Sequence, residues 1–500
     1  MLALIVCTLV FSLAMHSYAQ GRSFRRYHQH LEQPSEAELG VCPVCGGEAE
    51  LCTHLPIIRI ETGGQMIPGR PIISGNHRIG FETTETGEEE IMIRWSAISE
   101  EGVWHHGDDE ASQTGTAMFR IRGDSSRSFD KASFRLRLIR EDNPELNDRQ
   151  PLLGMAAGAE WALYGPFLDK TLMRNYMWMN IAGEVMEWAP NVRFCELILD
   201  GEYRGLYVLM EMIEVQKGRL DLRSYRPGTP VFSYLVRIES MTNADKTVDN
   251  FSHYTYRLEE GHQLELLYPG LKNQTQQVRD YVETDFSEAE RMLYSAALVA
   301  GKDDWREIMD EDSLVDYYIL EEFLADNDVF SKSTYFYRDA RGKLCIGPVW
   351  DFNNVVNNFF QPLPEEEFIL DRRGWYSQLM QDKDFVKRVI VRYRELRQSI
   401  LSEERLLRYI GETEAWLGSA IDRNFEIWGY SFDPYTLSSD QIRRPEPGSD
   451  QTLEDMNPAD YREAVKWMTD YLVDRGRWMD EHIEDLMQFC HPSKYSGYAK

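Results

Sequence analysis

Two carboxylates on either side of a predicted hairpin are the strongest candidates for chemistry in this sequence. Asp328 lies in a polar loop after a predicted helix, and Asp351 follows the second strand of the hairpin, within Trp350-Asp-Phe-Asn353. A turn at Arg341-Gly342 returns the chain, so the two carboxylates can converge. In phosphoryl transfer one carboxylate accepts the proton of the attacking hydroxyl, and another holds Mg²⁺ on the nucleotide phosphates. This pair is the main reason to expect an enzyme.

Each carboxylate also has a structural interpretation. Asp326-Asn-Asp328 can terminate the preceding helix, and Asp351 can be a turn carboxylate at the end of a strand. Taken alone, Asp328 is better explained as part of a helix terminus. The placement of both carboxylates around one hairpin favours a shared site.

A basic stretch provides a candidate anion site. Between Arg120 and Arg140 there are seven basic and two acidic residues, although the whole chain carries a net charge of −29. The stretch is expected to form a strand, a Gly/Ser-rich turn and a second strand. Backbone N–H groups and the hydroxyls of Ser125 and Ser126 can hold phosphate oxygens, and Arg122 or Lys131 can neutralise them. A solvated hairpin with a basic outer face fits the stretch equally well.

A cysteine cluster near the N-terminus offers a possible metal site. Cys42, Cys45, Cys52 and His54 together resemble a small zinc knuckle. Structural zinc sites usually contain two separated ligand pairs, and only one Cys-x-x-Cys is present. In an exported chain a disulfide, or free thiols, is therefore favoured over zinc.

Composition and targeting signals narrow the class of protein. The 500 residues include 83 acidic and 54 basic ones, which argues against a nucleic-acid partner. Residues 1–19 have the apolar run and small-residue cleavage site of a signal peptide. Later apolar runs are too short to cross a membrane, since a span needs about 18 residues or more. We therefore expect a secreted, periplasmic or cell-envelope protein with no membrane span in the mature chain.

The elements that must position these residues follow a simple order. Strand patterns dominate up to residue 270 and include a hairpin with an Asp200-Gly201 turn between Val192–Leu199 and Tyr203–Met210. Helical periodicity dominates from Asp285 onward. The predicted helices of this half are Ser287–Ala300, Ser313–Leu324, Asp382–Ser399, Glu403–Trp428 and Asn457–Phe489. The order predicts an α+β fold of two lobes.

One helix is predicted within the β-rich half. Helical spacing of apolar residues indicates a helix over Asp169–Trp188, with Asp169 as its N-cap. Arg174 and Asn175 lie in its first half. For Arg174 a structural pairing with Asp169 or another buried carboxylate is favoured over a catalytic role.

Several segments resemble the CotH family (spore coat protein H), an atypical protein-kinase-like family. They are Arg122–Lys131, Trp161–Asn175, Gly201–Glu211, Asn327-Asp328 and Trp350–Phe352, with Leu55–Ile58 and Arg477–Asp480 at the two ends. The resemblance implies a two-lobed kinase-like fold over 55–487, with a β-rich lobe over 55–270 and a helical lobe over 285–487. Residues 20–54 would form a leader that carries the cysteine cluster, and 488–500 a tail.

The resemblance also implies an activity and the residues that perform it. An exported bacterial kinase would use ATP with Mg²⁺ or Mn²⁺ to phosphorylate Ser or Thr of a secreted or surface protein. By motif position, Asp328 would be the catalytic base and Asp351 the main metal ligand. Arg122 and Lys131 would face the phosphates, and the strand ending at Glu211 would lead past the adenine.

Two positions depart from the family pattern. Ser333 stands where the family usually has an Asn as second metal ligand, and Asn353 stands where the metal motif usually has a second Asp. Both substitutions weaken the predicted second metal site. The alternative function is therefore a catalytically inactive CotH-like scaffold or binding protein of the cell envelope. A carbohydrate-active enzyme with paired carboxylates has no supporting motif.

Overall fold

The structure, a computed structural model, describes residues 26–75, 77–239, 246–256, 263–295, 305–358, 364–445 and 448–490. The predicted signal peptide, residues 20–25 of the predicted leader and residues 491–500 of the predicted tail lie outside this description. Both strands and helices build the described part, so the predicted α+β class is confirmed. None of its helices is long and apolar enough to cross a membrane.

The strands fall mainly in the first half of the chain. They are β1 (Cys52–Thr53), β2 (Ile57–Glu61), β3 (Pro71–Ser74), β4 (His77–Phe81), β5 (Ile91–Ile98), β6 (His105–His106), β7 (Gln113–Ile121), β8 (Phe134–Arg140), β9 (Asn143–Asn147), β10 (Glu160–Tyr164), β11 (Val192–Leu199), β12 (Glu202–Glu211), β13 (Tyr234–Glu239), β14 (Thr247–Val248), β15 (Gln263–Tyr268), β16 (Thr334–Arg338) and β17 (Leu344–Ile346).

Seven of these strands close into a barrel. Their order is β10-β12-β11-β2-β5-β7-β8, and β8 pairs back with β10. Neighbours are antiparallel except β2 and β11, which run parallel. In β5 the side chains of Ile91, Ile93 and Trp95 are buried while those between them are exposed, as expected for a strand with one face on a core. The predicted hairpin around Asp200-Gly201 is confirmed as β11–β12.

A second sheet carries the hairpin that separates the two candidate carboxylates. Its strand order is β14-β15-β13-β16-β17. β16 and β17 pair antiparallel, with Phe336 opposite Ile346, and Arg341 in the connecting turn has a left-handed φ of 64°. The predicted hairpin is thus confirmed. Because the two strands are antiparallel, the segment before β16, which carries Asp328, and the segment after β17, which carries Asp351, meet the sheet at the same end.

The helices lie mainly in the second half of the chain. They are α1 (Gln29–Glu32), α2 (Glu36–Leu39), α3 (Arg174–Val185), α4 (Phe251–Tyr256), α5 (Gln276–Leu293), α6 (Glu311–Leu324), α7 (Tyr376–Leu379), α8 (Lys383–Arg397), α9 (Glu403–Leu417), α10 (Ser419–Trp428), α11 (Leu453–Met456) and α12 (Tyr461–His482).

Four helix predictions need correction. The helix predicted over Ser287–Ala300 is α5, which begins eleven residues earlier and ends at Leu293, and the one predicted over Asn457–Phe489 is α12 followed by a 3₁₀ segment over Ile483–Cys490. The helix predicted from Asp169 begins only at Arg174, since the Asp169 carboxylate accepts hydrogen bonds from the backbone N–H groups of Thr171 and Arg174 ahead of the first turn. The single helix predicted over Glu403–Trp428 is two helices, α9 and α10. Gly418 separates them with a φ of 50°, outside the helical region.

The segment predicted as a leader is packed against the rest of the chain over residues 26–54. The Gln29 side chain both donates to Phe194 O at 3.2 Å and accepts from Phe194 N at 2.8 Å, as a neighbouring strand would. The Glu36 carboxylate accepts the Ser419 hydroxyl at 2.5 Å and the Ser419 N–H at 3.1 Å, which caps α10. This segment therefore completes the fold.

Replacing Gly418 by alanine is expected to destabilise the protein. Alanine at position 418 would have to adopt a positive φ, which strains its backbone. Its Cβ would also lie 2.8 Å from Glu36 Oε2 and would displace the Glu36 carboxylate that caps α10. We expect the free energy of unfolding to fall by roughly 1–3 kcal/mol, measured by urea denaturation. Gly411→Ala is the matched control, because no atom lies within 4 Å of the added carbon inside α9. It should stabilise by about 0.5–1 kcal/mol, and equal losses in both variants would contradict the explanation.

Candidate active site

The loop that carries Asp328 begins where α6 ends. Ala325 takes a left-handed φ of 52° that stops the helix, and the Asp326 carboxylate accepts the Asp328 N–H at 2.8 Å. Asp328 O then accepts the N–H groups of Ser331 and Lys332 at 2.8 and 2.9 Å. This turn brings Lys332 back over Asp328, so that its ammonium lies 3.2 Å from the Asp328 carboxylate.

Asp351 lies on a second loop that helix α3 holds in place. Its φ is 72°, a left-handed value that Asp and Asn tolerate better than most residues. The next residue, Phe352, donates its N–H to Asn175 Oδ1 at 3.1 Å. Asn175 therefore fixes the backbone beside the carboxylate.

Arg174 holds the continuation of the same loop. Its guanidinium forms a buried ion pair with Asp169 at 2.6 Å, as predicted. It also donates to Val355 O at 3.1 Å and to Val356 O at 3.3 Å. The pair thus links the start of α3 to the chain just after Asp351, and Arg174 positions that loop.

The two carboxylates share one electrostatic environment. Burial raises the pKa of Asp351, the Arg122 guanidinium lowers it, and the charge of Asp328 raises it again. Lys332 lowers the pKa of Asp351 and forms the ion pair with Asp328 described above. Asn354 Nδ2 donates to Asp328 Oδ2 at 3.4 Å. Asp328 and Asp351 therefore meet in one site with two cationic side chains.

Arg122 enters this site from the barrel. It follows β7 directly, and its N–H donates to Ser133 O at 2.9 Å. Its guanidinium carbon lies 5.5 Å from the centre of the Trp350 ring, next to Asp351. Burial lowers the pKa of Arg122, and Asp351 is the largest influence that raises it. A half-buried guanidinium of this kind is suited to an anionic ligand.

Oxygen atoms around Asp351 suit a hard divalent cation. Asn353 Oδ1 is buried and has no hydrogen-bond partner in the described part of the chain, while its Nδ2 donates to Asn354 Oδ1 at 2.9 Å. A carboxylate and a neutral amide oxygen on neighbouring residues are ligands that Mg²⁺ or Mn²⁺ accepts. Asp351 and Asn353 therefore fit the predicted metal. Ser333 follows Lys332 with a φ of 53°, and its role as a ligand stays a prediction.

Further acidic groups lie behind Asp328. Burial, followed by the charge of Asp328, raises the pKa of Asp326 to about 7. Burial also raises the pKa of Glu321 well above its usual value, and Asp326 and Asp328 raise it further. A bound cation would lower the cost of this concentrated negative charge.

Replacing Asp326 by asparagine is expected to change how stability depends on pH. The pKa of Asp326 is about 7 when folded, against 3.8 for the free side chain. The folded state therefore binds this proton more tightly, and the group costs stability as the pH rises from about 4 to about 7. Relative to the parent, the free energy of unfolding of the variant should increase over that interval by a few kcal/mol. Urea denaturation with a chelator present measures this, and a difference that is constant with pH would contradict it.

The predicted Gly/Ser turn is present but is held mainly by its own neighbours. Ser125 to Ser128 form a 3₁₀ turn in which Ser125 is exposed and Ser126 half-buried. Arg127 donates to Gly123 O at 2.7 Å and stacks over Phe81, with its guanidinium carbon 3.9 Å from the ring centre. The turn begins next to Arg122. A phosphate role for Ser125 and Ser126 stays a prediction.

Lys131 occupies a different place from the one predicted. Its ammonium is buried and donates to Leu206 O and to Asn424 Oδ1, both at 2.6 Å. The charges that act on it are those of Lys170 and Asp169 rather than those of the Asp328–Asp351 site. Lys131 therefore joins strand β12 of the barrel to α10. The oxygens of Leu206 and Asn424 replace the water that would otherwise solvate its ammonium. The expectation that Lys131 faces the phosphates needs this correction.

Glu211 is also engaged within the protein. Its carboxylate is fully buried at the end of β12 and accepts the Asn191 N–H at 2.9 Å and the Asn191 side-chain amide at 2.8 Å. Arg219 Nε lies 3.9 Å from its other oxygen. These contacts account for the carboxylate structurally, and an adenine contact stays a prediction.

The predicted fourth ligand of the cysteine cluster is wrong. His54 Nδ1 lies 3.5 Å from Glu36 Oε1, and its ring packs on Trp416 at 5.1 Å between centres. The residue that approaches the three thiols is His106, which forms with them a group able to hold a metal ion. The three thiols are free, so of the two states favoured over zinc, a disulfide or free thiols, the structure has the free thiols.

Sequence analysis did not identify three residues of the candidate active site: Lys332, Asp326 and Glu321. Lys332 had a usable signal, since a lysine four residues after Asp328 can return to it over one helical turn. Asp326 and Glu321 had no such signal, because only their burial distinguishes them from the many acidic residues of the chain.

Comparison with known proteins identifies the family of the chain. The family described as CotH kinase protein matches residues 119–479, a span that contains Arg122, Asp328 and Asp351. A search of curated proteins finds no match. Since the matched span covers most of the chain, the protein belongs to the CotH kinase protein family.

Proposed function

We propose that this protein is an exported atypical kinase that transfers the γ-phosphoryl group of ATP to a Ser or Thr hydroxyl of a secreted or surface protein. The observation that carries the proposal is the placement of Asp328 and Asp351 with Arg122 and Lys332 in one partly buried site. Two carboxylates with separate tasks and two cations for a polyphosphate are the parts that phosphoryl transfer needs.

The proposal assigns Asp328 as the catalytic base. Its carboxylate would orient the acceptor hydroxyl and take its proton while the oxygen forms a bond to the γ-phosphorus. The bond from that phosphorus to the β,γ-bridging oxygen breaks, and its electron pair leaves with ADP. Lys332, whose ammonium lies 3.2 Å from the Asp328 carboxylate, would neutralise charge on the transferred group.

Asp351, Asn353 and Arg122 are assigned to the nucleotide side of the site. Asp351 and Asn353 would hold Mg²⁺ or Mn²⁺, which when bound neutralises the β- and γ-phosphate oxygens. Arg122 would donate to a phosphate oxygen, since its guanidinium lies over the ring of Trp350, the residue before Asp351. In this arrangement the barrel supplies Arg122 and the later half supplies both carboxylates, and the nucleotide would lie between two kinase-like lobes.

The proposal is tested with the full chain, ATP and Mn²⁺. A shift in thermal denaturation that requires both nucleotide and metal reports binding, and intact-mass analysis reports phosphate on the chain itself or on a Ser/Thr peptide library. We expect both signals, and a chelator should remove them. Absence of both, with Mg²⁺ as with Mn²⁺, would favour the inactive scaffold that Ser333 and Asn353 suggest.

A further inference from the structure

Three cysteines and one histidine come together before the part of the chain that matches the family. The ligand atoms of Cys42, Cys45, Cys52 and His106 all lie within 4.8 Å of one another. They precede residue 119, where the family match begins. We propose that these four side chains bind one structural Zn²⁺ ion.

The spacing of the ligand atoms fits a tetrahedral ion. His106 Nε2 lies 3.5 Å from Cys42 Sγ and 3.3 Å from Cys45 Sγ. Zinc–sulfur bonds of about 2.3 Å and a zinc–nitrogen bond of about 2.0 Å at tetrahedral angles place sulfur and nitrogen about 3.5 Å apart. A disulfide would instead need two sulfurs about 2.05 Å apart, and the three thiols are free.

Backbone geometry delivers the ligands to one point. β1 pairs with β6 so that Cys52 lies opposite His106. The Cys42–Cys45 turn is closed by Gly46 N, which donates to Cys42 O at 2.9 Å, and Gly46 and Gly47 have φ values of 63° and 87°. Strand pairing therefore adds Cys52 and the distant His106 to Cys42 and Cys45, and these two residues form the second ligand pair that no second Cys-x-x-Cys provides.

The surroundings of the ligands also point to a metal. Asp109 Oδ2 lies 3.3 Å from His106 Nδ1 and accepts the His106 N–H at 2.7 Å. A carboxylate on Nδ1 keeps the proton there and directs the Nε2 lone pair towards the metal, as in many zinc sites. The Gly47 N–H donates to Cys45 Sγ at 3.3 Å, which stabilises a thiolate.

The ligand set selects the kind of metal and its role. Three thiolates and an imidazole favour zinc over Mg²⁺ or Ca²⁺, which prefer oxygen. All four positions are filled by the protein, so no position is left for substrate, and the site is structural. It would fasten the Cys42–Cys52 segment to the β5–β7 connection of the barrel.

The test measures metal bound to the full chain, purified after expression with added zinc. Elemental analysis should give one zinc per chain, and a mercurial reagent should release that zinc as three thiols react. Cobalt substitution should give thiolate-to-cobalt charge-transfer bands. Each measurement is made on the unaltered protein and needs neither activity nor a variant.

Matched variants identify the ligands. His106→Gln and Cys45→Ser should each lose the zinc, while His54→Gln and Cys345→Ser should keep one equivalent. Loss of zinc from His54→Gln but not from His106→Gln would overturn the ligand set. A zinc-free parent chain, whether its thiols are free or Cys42 and Cys45 are bridged, would overturn the site.

Discussion

Replacing Asp351 by asparagine is expected to abolish metal-dependent binding of ATP. Asparagine keeps the size of the side chain and tolerates the φ of 72°, so the change removes only the charge. A metal ligand of this kind contributes several kcal/mol to a phosphoryl-transfer site, so phosphate transfer should fall by roughly 10³-fold or more. Thermal denaturation with and without ATP and Mn²⁺ measures the binding.

Stability separates this effect from damage to the fold. Burial raises the pKa of Asp351, so the charged form is costly without metal, and the variant should unfold at the same or a higher temperature in a chelator. Asp142→Asn, at an exposed surface ion pair, is the matched control and should keep the full ATP and Mn²⁺ response. If the Asp351→Asn protein still shows the ATP and Mn²⁺ shift in thermal denaturation, the nucleotide and its metal do not bind at Asp351.

Replacing Asp328 by asparagine is expected to separate binding from transfer. The side chain keeps its shape but can no longer accept a proton, and general-base catalysis is worth about 10²–10⁴-fold. The rate of phosphate incorporation should fall by that factor, while the ATP and Mn²⁺ shift in thermal denaturation persists because Asp351 is intact. Intact-mass time courses at saturating ATP measure the rate.

A carboxylate at the other end of α6, the helix that precedes the Asp328 loop, controls for the Asp328 change. Asp312 is exposed in the first turn of α6 and pairs with Arg388 on the surface, so Asp312→Asn should leave the rate unchanged. If the Asp328→Asn protein incorporates phosphate at the parental rate, Asp328 is not the catalytic base. Its carboxylate then only helps to terminate the preceding helix, the structural interpretation that its local sequence also allows.

Local patterns predicted the elements around the site well. The β11–β12 and β16–β17 hairpins follow from turn residues between apolar runs, and Arg174 pairs with Asp169 five residues before it. These features depend on residues close in sequence. For that reason a single sequence suffices to predict them.

Features that depend on distant residues could not be predicted. Closure of the barrel by β8 and β10, and the parallel pairing of β2 with β11, leave no local pattern. His106 replaces His54 beside the thiols because strand pairing brings it there. Lys131 lies in a basic stretch, yet Leu206 and Asn424 take its ammonium. In each case the partner is far away in sequence.

The docked N-terminal segment has a consequence for the order of folding. Glu36 is joined to Ser419 across 383 positions of the chain. Contacts between such distant residues require closure of a very long loop, which slows folding relative to local contacts. During synthesis Glu36 is made long before Ser419. It can therefore cap α10 only after that helix has emerged and has packed against the N-terminal segment. The contact between Glu36 and Ser419 should be among the last contacts to form.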